Sequence, residues 1–402
     1  MSPAGAAGAA AGESPGAALF TYGFRPFFLF GSLYSAIVMV LWMLWWWGSV
    51  GPPTAFPPTA WHAHEFLFGY VPAIVAGFLT TAVPGWTGRP PAAGRILIGL
   101  FGIWAAGRLA VNLSAVVGYP LAVGLSTAFP AVVAGVVGRE IIAGRNLRNL
   151  KVVVLLALFA VSEAVYAWEV WRDGSSTIGG RMAIASVLLL LTLVAGRIVP
   201  AFTANWLKTR GERVMPAPLA RYDSYTVGIG ALGLVCWIGD GQIVPADFTG
   251  AILLLSAGLH LLRQLRWRPH RVMADPLVAV LHGAYLFVPV GFGLAGIAEI
   301  GGLEAAYRAA VHAWTVGAFG TMTLAVMTRA SLGHTGRPLR ASRATVALYL
   351  LVSLAAVARI AAALSPTWSP MLSVLAGIAW IAAFLGYAIE YGPMLLTPRR
   401  PA

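Results

Sequence analysis

The sequence predicts an all-α integral membrane protein of about twelve transmembrane helices. Hydrophobic side chains make up 59% of the 402 residues, charged side chains only 10%, and the mean hydropathy is +0.79. An average soluble domain carries about 25% charged residues. Apolar runs long enough to cross a bilayer also recur along almost the whole chain, so a soluble globular domain is excluded.

A scan for runs of roughly 20 mostly apolar residues defines the elements in order. The predicted spans are 27–47, 64–84, 94–112, 115–137, 151–171, 182–204, 223–240, 247–266, 277–298, 307–331, 342–364 and 369–391. Residues 1–19 are rich in Ala, Gly, Ser and Pro and lack the regions of a signal peptide, which predicts a disordered cytoplasmic tail. Residues 20–396 are predicted to form one membrane domain, and 397–402 a short basic cytoplasmic tail.

The loops predict the orientation of these spans. With the N-terminus inside, the inner segments hold 21 Lys and Arg residues and the outer segments three. Because cytoplasmic loops accumulate Lys and Arg, both termini are predicted to be cytoplasmic. The net charge of +13 is therefore attributed to these loops and to anionic lipid. Nucleic acid is not expected as a partner, since the basic residues form no continuous stripe with aromatic residues.

Short matches within the chain suggest internal repetition. Thr-Gly-Arg-Pro follows the second helix at 87–90 and the tenth at 335–338, and His-Ala occurs at 62–63 and 312–313 near the starts of those helices. Val-Pro at 83–84 and 199–200 is a weaker match that adds the sixth helix. Helices two, six and ten are therefore hypothesised to be equivalents in three four-helix repeats.

Two imidazoles and a carboxylate, those of His62, His64 and Glu65, lie at the outer mouth of the second helix, and His312 lies at the same predicted depth on the tenth. Such groups are costly to desolvate, so they are either satisfied by interfacial water and backbone or serve as ligands. The clustering favours ligands. Helical positions i and i+2 point apart, so His62 and His64 need not hold one metal. The favoured pair for an outer haem is His64 and His312, with Glu65 as the catalytic proton donor.

Other polar residues receive weaker predictions. His282 is either a buried histidine bonded to backbone or a second metal or proton site, whereas His260 is expected to be structural. Arg197 is expected to be buried, binding a haem propionate or pairing with Glu163 or Asp223. Arg108 and Arg359 lie near outer helix ends, where they could hold propionates, but snorkelling to the interface is the expected role.

Cysteine usage restricts the cofactors further. Cys236 is the only cysteine, which excludes disulfides within the chain, four-thiolate iron-sulfur clusters and thiolate zinc sites. No Cys-x-x-Cys-His motif is present, so any haem would be held noncovalently.

Several motifs follow one another in order along most of the chain. They are Phe-Arg-Pro-Phe-Phe at 24–28, Trp-His-Ala-His-Glu at 61–65, Ala-Gly-Phe-Leu-Thr-Thr-Ala-Val-Pro at 76–84, Gly-Arg-Ile-Val-Pro-Ala-Phe-Thr at 196–203, Asp-Pro-Leu at 275–277 with Leu-His at 281–282, and the run 312–337 with Val-Met-Thr-Arg and Gly-His-Thr-Gly-Arg. Together they resemble the NnrS family of bacterial inner-membrane proteins. One departure is Gly85, where the family often has a polar residue.

The resemblance implies a protein that contains haem and copper and is associated with denitrification and relief of nitric oxide stress. The family's histidines map onto His62, His64, His282, His312 and His334. The haem is expected to be b-type, ligated by His64, His312 or both, and copper to be bound by some of His62, His282 and His334. The predicted topology is also similar to the catalytic subunits of haem-copper oxidases and nitric oxide reductases, an analogy of fold only.

These observations lead to one functional expectation and two alternatives. The expected function is binding of nitric oxide or its reduction to nitrous oxide, with electrons from quinol or an electron-donor protein. The first alternative is a transporter or exporter of copper, haem or a metal-nitrosyl species, which twelve helices with Gly and Pro breaks would also fit. The second is a noncatalytic haem-based nitric oxide sensor.

Overall fold

A computed structural model describes residues 18–239 and 244–400, and within these ranges its regular secondary structure is entirely helical. Eleven of the helices in these ranges are long and apolar enough to cross a membrane. The prediction of an all-α integral membrane protein is thereby confirmed.

Within residues 18–239 and 244–400, twelve long helices form a bundle. They are α1 Phe24–Trp46, α2 Pro58–Thr87, α3 Arg95–Asn112, α4 Tyr119–Ala143, α5 Leu150–Asp173, α6 Ile178–Thr209, α7 Arg221–Ile238, α8 Ala246–Leu265, α9 Pro276–Gly301, α10 Glu304–His334, α11 Arg343–Leu364 and α12 Ser369–Leu396. The seventh predicted span appears as α7, which is not among the eleven apolar helices. Its first turn contains Arg221 and Asp223, which lower its hydropathy.

Local sequence explains where several helices begin and end. The Asp275 side chain accepts a hydrogen bond from the Leu277 amide at 3.0 Å and so caps the start of α9. Ser342 caps α11 in the same way through the Thr345 amide, also at 3.0 Å. Proline at the first position of α2 suits a helix start, because a backbone N–H at that position would have no carbonyl partner within the helix.

The two predicted tails end differently from expectation. Residues 1–17, 401 and 402 lie outside the described residues. Ala18 and Leu19, assigned to the tail, are helical and buried. At the other end, Arg25 donates hydrogen bonds to the carbonyls of Leu395 and Thr397 at 2.9 and 2.6 Å. The Arg400 amide donates to the Thr335 carbonyl at 3.2 Å. The packed domain therefore includes residues that the sequence assigned to both tails.

Three helices form the interior of the bundle. The most apolar window is 78% buried in α2, 67% in α6 and 72% in α10, compared with 39–61% in the other eight apolar helices. Helix α12 packs along α1, so the last helix returns to the first. The three helices that the repeat hypothesis makes equivalent thus share a buried position, and the hypothesis itself stays a prediction.

Helices α2 and α10 also share a backbone irregularity. A π-helical segment, Glu65–Tyr70 in α2 and Ala313–Gly320 in α10, begins directly after His64 and His312, respectively. In both helices the twenty-third residue after the start of the segment is a glycine with positive φ, Gly88 at 69° and Gly336 at 73°. This register makes His64 the counterpart of His312, so the His-Ala match noted in the sequence is shifted by two residues.

Candidate functional site

A cavity of about 610 Å³ lies at the end of the bundle where α2 and α10 begin, here called the upper cavity. Its lining includes His62 from α2, His312 from α10 and the aromatic rings of Trp42 and Trp380. The volume is typical of cofactor and ligand sites. Residues from α1, α2, α5, α6, α10, α11 and α12 enclose it, so the site depends on the folded bundle rather than on one motif.

Both cavity histidines have nitrogen atoms without protein partners. The ring of His62 stacks on Trp42, with ring centroids 4.4 Å apart and planes 15° apart. His62 Nδ1 is buried and has no hydrogen-bond partner among the described residues. His312 lies close enough to His62 for the two rings to interact electrostatically. It likewise forms no hydrogen bond to a described residue. Two imidazoles therefore face one cavity with the capacity to bind a ligand.

His64 lies apart from this cavity, in a fully buried group of ionisable side chains. Its Nδ1 is 2.9 Å from Glu65 Oε1 and its Nε2 is 3.4 Å from Glu163 Oε1. The expected juxtaposition of His64 with His312 is therefore wrong, and His62 shares the cavity with His312 instead. The reason is the helical rotation between positions i and i+2, which turns His62 towards the cavity and His64 towards α5.

Glu65 is the centre of this group, here called the carboxylate cluster: Tyr34, His64, Glu65, Arg108, Ser126 and Glu163. Arg108 Nη1 donates to both Glu65 oxygens at 2.9 Å, and the Tyr34 hydroxyl donates to Glu65 Oε2. Arg108 is thus buried and ion-paired, and the expectation that it snorkels is wrong. Both oxygens of Glu65 therefore accept hydrogen bonds from within the cluster. The catalytic role of Glu65 stays a prediction.

Glu163 completes the cluster and is a residue whose position the sequence analysis missed. The Ser126 hydroxyl accepts from Arg108 and donates to Glu163 Oε1. Glu163 Oε2 is buried without a partner among the described residues. An ionisable residue inside an apolar span was the available signal, but its partner could be found only once α2, α3, α4 and α5 were packed together.

A glycine in the π-helical segment makes room for the cluster. A Cβ atom at Gly69 would lie 2.9 Å from Arg108 Nη1 and 3.0 Å from Glu65 Oε2. The Gly69 carbonyl also accepts a hydrogen bond from Trp104 Nε1 at 2.9 Å. The π-helical segment of α2 therefore leaves the space that Arg108 and Glu65 occupy.

A second buried polar group joins side chains of α7, α8 and α9. Arg263 pairs with Asp223 at 2.8 Å and donates to the Tyr285 hydroxyl at 3.0 Å, and that hydroxyl lies 2.8 Å from His260 Nδ1. A Cβ at Gly196 would overlap Arg263 Nη2, so the glycine is needed for this arginine to fit. His260 thus has a hydrogen-bonding partner, as its predicted structural role requires.

Arg197 does not take the position predicted for it. Its Nη1 donates to Asn149 Oδ1 at 2.8 Å, and its side chain is only half-buried. Asp223 is already paired with Arg263, and Glu163 belongs to the carboxylate cluster. Arg197 also lies 13 residues along α6 from Ile184, which lines the upper cavity, a distance of about 20 Å. The predicted buried pairing of Arg197 is therefore wrong.

His282 and His334 are also remote from the upper cavity. His282 Nε2 lies 2.9 Å from the Thr203 hydroxyl, and its Nδ1 is buried without a partner among the described residues. His334 is exposed, with its ring near Tyr22 and Phe24. It ends α10, about 33 Å along the helix from His312. Within residues 18–239 and 244–400, no three His, Cys, Asp or Glu residues are grouped so as to hold a metal ion.

Comparison with known proteins agrees with the motif resemblance. The sequence profile described as NnrS protein matches residues 18–399, nearly the whole chain. A search of curated proteins found no match. On the strength of the family match, the chain belongs to the NnrS family.

Proposed function

We propose that this membrane protein binds a noncovalent haem in the upper cavity and acts on nitric oxide through it, in denitrification or in relief of nitrosative stress. The observation that carries the proposal is that two imidazoles without protein hydrogen bonds, those of His62 and His312, line one cavity of cofactor size. Family membership supports the same chemistry.

The lining residues fit a haem in three respects. His62 Nδ1 is an orphaned buried nitrogen, and imidazole is a usual axial ligand of haem iron. The rings of Trp42, Phe66 and Trp380 supply apolar faces for a flat macrocycle. Arginine side chains in the lining supply charge for its carboxylates. A b-type haem, held without thioether bonds, suits a chain in which Cys236 is the only cysteine.

The residues fit copper less well. A site made from His62, His282 and His334 is not assembled, because these side chains lie in different parts of the bundle. No other group of three suitable side chains occurs within the described ranges. The proposed function therefore contains no step that depends on copper.

When bound, the haem would supply an iron centre able to coordinate nitric oxide. The protein's own contribution is positional: Trp42 restrains the His62 ring by stacking, and residues from seven helices enclose the cavity. Tyr166 connects the cavity with the carboxylate cluster. Its side chain lines the cavity, and its ring centroid lies 5.8 Å from that of His64. If reduction occurs, electrons would come from quinol or a donor protein.

A smaller cavity deeper in the bundle, here called the lower cavity, supports a small neutral substrate. It measures about 80 Å³ and is lined by α2, α6 and α10. Among the described residues that line it, Thr323 alone has a polar side chain, and its hydroxyl already donates to the Phe319 carbonyl at 2.7 Å. Along each helix it begins three or four residues beyond the upper cavity, about 5 Å deeper. Nitric oxide, being neutral and apolar, could pass through such a cavity without a polar channel.

The proposed location is the bacterial inner membrane with both termini cytoplasmic. The distribution of Lys and Arg among the loops supports this orientation. The upper cavity would then open towards the periplasmic face.

Optical spectroscopy of the purified protein tests the proposal. The wild type is expected to show a Soret band, which both His62→Ala and His312→Ala should remove or shift. His270→Ala is the matched control, because His270 is exposed and distant from the cavity lining. Absence of a Soret band in the wild type, or unchanged spectra in both cavity variants, would refute the haem site. Nitric oxide added to the reduced protein then distinguishes the two versions of the function: loss of the gas indicates reduction, and stable binding indicates sensing or sequestration.

A further inference from the structure

We infer that the basic wall of the upper cavity, formed by Arg181, Arg308 and Arg359, is a carboxylate-binding site in which Arg359 is the principal anchor. This inference rests on the proposed function, because the carboxylates in question are the two propionates of the haem. It adds residues that orient the ligand to the histidines that could ligate it.

The charge of the cavity lining is the first argument. Three arginines line the cavity, and the described lining residues include neither Asp nor Glu. A cluster of positive charge within a membrane protein is costly unless a counter-ion is present. The lining therefore favours an anionic ligand over a neutral one.

The three arginines differ in how far the protein itself satisfies them. Arg181 donates to the Trp237 carbonyl at 2.5 Å and lies over the rings of Trp237 and Tyr307. Arg308 is exposed and pairs with Glu304 at 3.2 Å. Both guanidinium groups therefore already have partners of their own.

Arg359 has no such partner. It projects from α11 into the cavity, is half-buried, and forms no hydrogen bond or ion pair with any described residue. Its charge acts on both His62 and His312, so it is the part of the basic wall that lies close to both histidines. An unpaired guanidinium in this position is suited to bind a carboxylate through two parallel hydrogen bonds.

The mouth of the cavity indicates how the carboxylates would be placed. Hydroxyl side chains occur there on two segments, Ser175–Thr177 between α5 and α6, and Ser369 with Ser373 on α12. The rings of Trp42, Phe66 and Trp380 in the lining are buried or half-buried, whereas Ser175 and Thr177 are exposed. A ligand with an apolar body and two acidic groups at one edge matches this division, because the acidic edge would lie beside the arginines and hydroxyls.

The test compares two haems that differ only at the carboxylates. Protohaem and its dimethyl ester are titrated into apoprotein, and affinities are read from the Soret band for the wild type, Arg359→Gln and Arg359→Lys. Arg340→Gln is the control, because Arg340 is an exposed loop residue outside the cavity. Arg359→Gln is expected to weaken protohaem binding by at least about tenfold while leaving ester binding unchanged. Lys should restore part of the loss.

Each outcome has a defined meaning. Equal weakening for both haems would assign Arg359 a structural role and overturn the inference. So would equal affinity of the wild type for protohaem and its ester. If the wild type binds neither haem, the proposed function itself fails. Ester binding by Arg359→Gln also reports that this variant is folded, so a loss confined to protohaem cannot be attributed to misfolding.

Discussion

Helices α2 and α10 show how one backbone plan can hold two different kinds of histidine. Each has a π-helical segment directly after a histidine and a positive-φ glycine at the same distance beyond. Yet His64 is fully buried beside two carboxylates, whereas its counterpart His312 faces a cavity lined by cations. The cavity partner of His312 is His62, two residues before His64.

The difference arises from what packs against each π-helical segment. In α2, Gly69 leaves space for the guanidinium of Arg108. The corresponding glycine of α10, Gly317, leaves space for the ring of Phe287 instead. One segment thus packs against a charged cluster and the other against an aromatic side chain. A repeated backbone irregularity preserves helix geometry, while the chemistry depends on the neighbouring helices.

The largest expected effect comes from breaking the charged side of this comparison. Arg108→Ala would leave Glu65 buried without its counter-ion, which should lower the free energy of unfolding by about 3–5 kcal/mol. Thermal unfolding in detergent measures the loss. The control is Arg89→Ala, whose pair with Glu140 is partly exposed and should be worth less than about 1 kcal/mol. Equal stability of the two variants would contradict a structural role for the carboxylate cluster.

A smaller effect is expected from filling the space at the π-helical segment of α2. Gly69→Ala places a methyl group 2.9 Å from Arg108 Nη1, and the resulting overpacking should cost about 1–3 kcal/mol. Gly99→Ala is the matched control, because a Cβ there meets nothing within 4 Å. The same unfolding assay applies. A Gly69 variant as stable as the Gly99 variant would show that the cluster does not need this glycine.

The lower cavity offers a kinetic test, in which the expected effect is a severalfold change in a rate. Ala195→Phe should occupy part of the cavity between α2, α6 and α10, slowing carbon monoxide or nitric oxide association severalfold with the Soret band unchanged. Ala201→Phe introduces the same side chain at an exposed position of α6. Flash photolysis of the carbon monoxide complex measures the rate. Identical rates in the two variants would exclude the lower cavity as the route of the gas.

The least effect is expected at the far end of α10. His334→Ala removes an exposed side chain about 33 Å from His312, so the Soret band and its intensity should stay as in the wild type. Titration of haem into the apoprotein would detect a change in affinity. A weakened or shifted spectrum would show that this histidine acts on the cofactor, as the family pattern alone suggested.

The sequence predicted the fold well because apolar runs and loop charges report directly on membrane spans. It also singled out His62, His64, Glu65 and His312 as unusual, since imidazole and carboxylate groups inside a membrane span are costly unless they have partners or ligands. Their pairing could not be predicted in the same way. Which of His62 and His64 faces the cavity depends on helix rotation, and the π-helical segment alters that rotation by a fraction of a turn.

The partners that these residues find on other helices could not be predicted, for a related reason. Glu163 and Arg108 are visible in the sequence as charged residues within apolar runs, but they join Glu65 only after α2, α3, α4 and α5 pack together. Arg197 illustrates the opposite error. It carries the same kind of signal, yet Arg263 on α8 holds the buried Asp223, and Arg197 donates to Asn149 instead.

Paired spectra of two glutamine variants test the central claim most directly. His62→Gln and His64→Gln are purified, confirmed as folded by their unfolding temperatures, and compared with the wild type after haem loading. The account predicts that His62→Gln loses or shifts the Soret band, whereas His64→Gln retains the wild-type spectrum because its side chain lies in the carboxylate cluster. A normal spectrum in His62→Gln together with a lost spectrum in His64→Gln would contradict it.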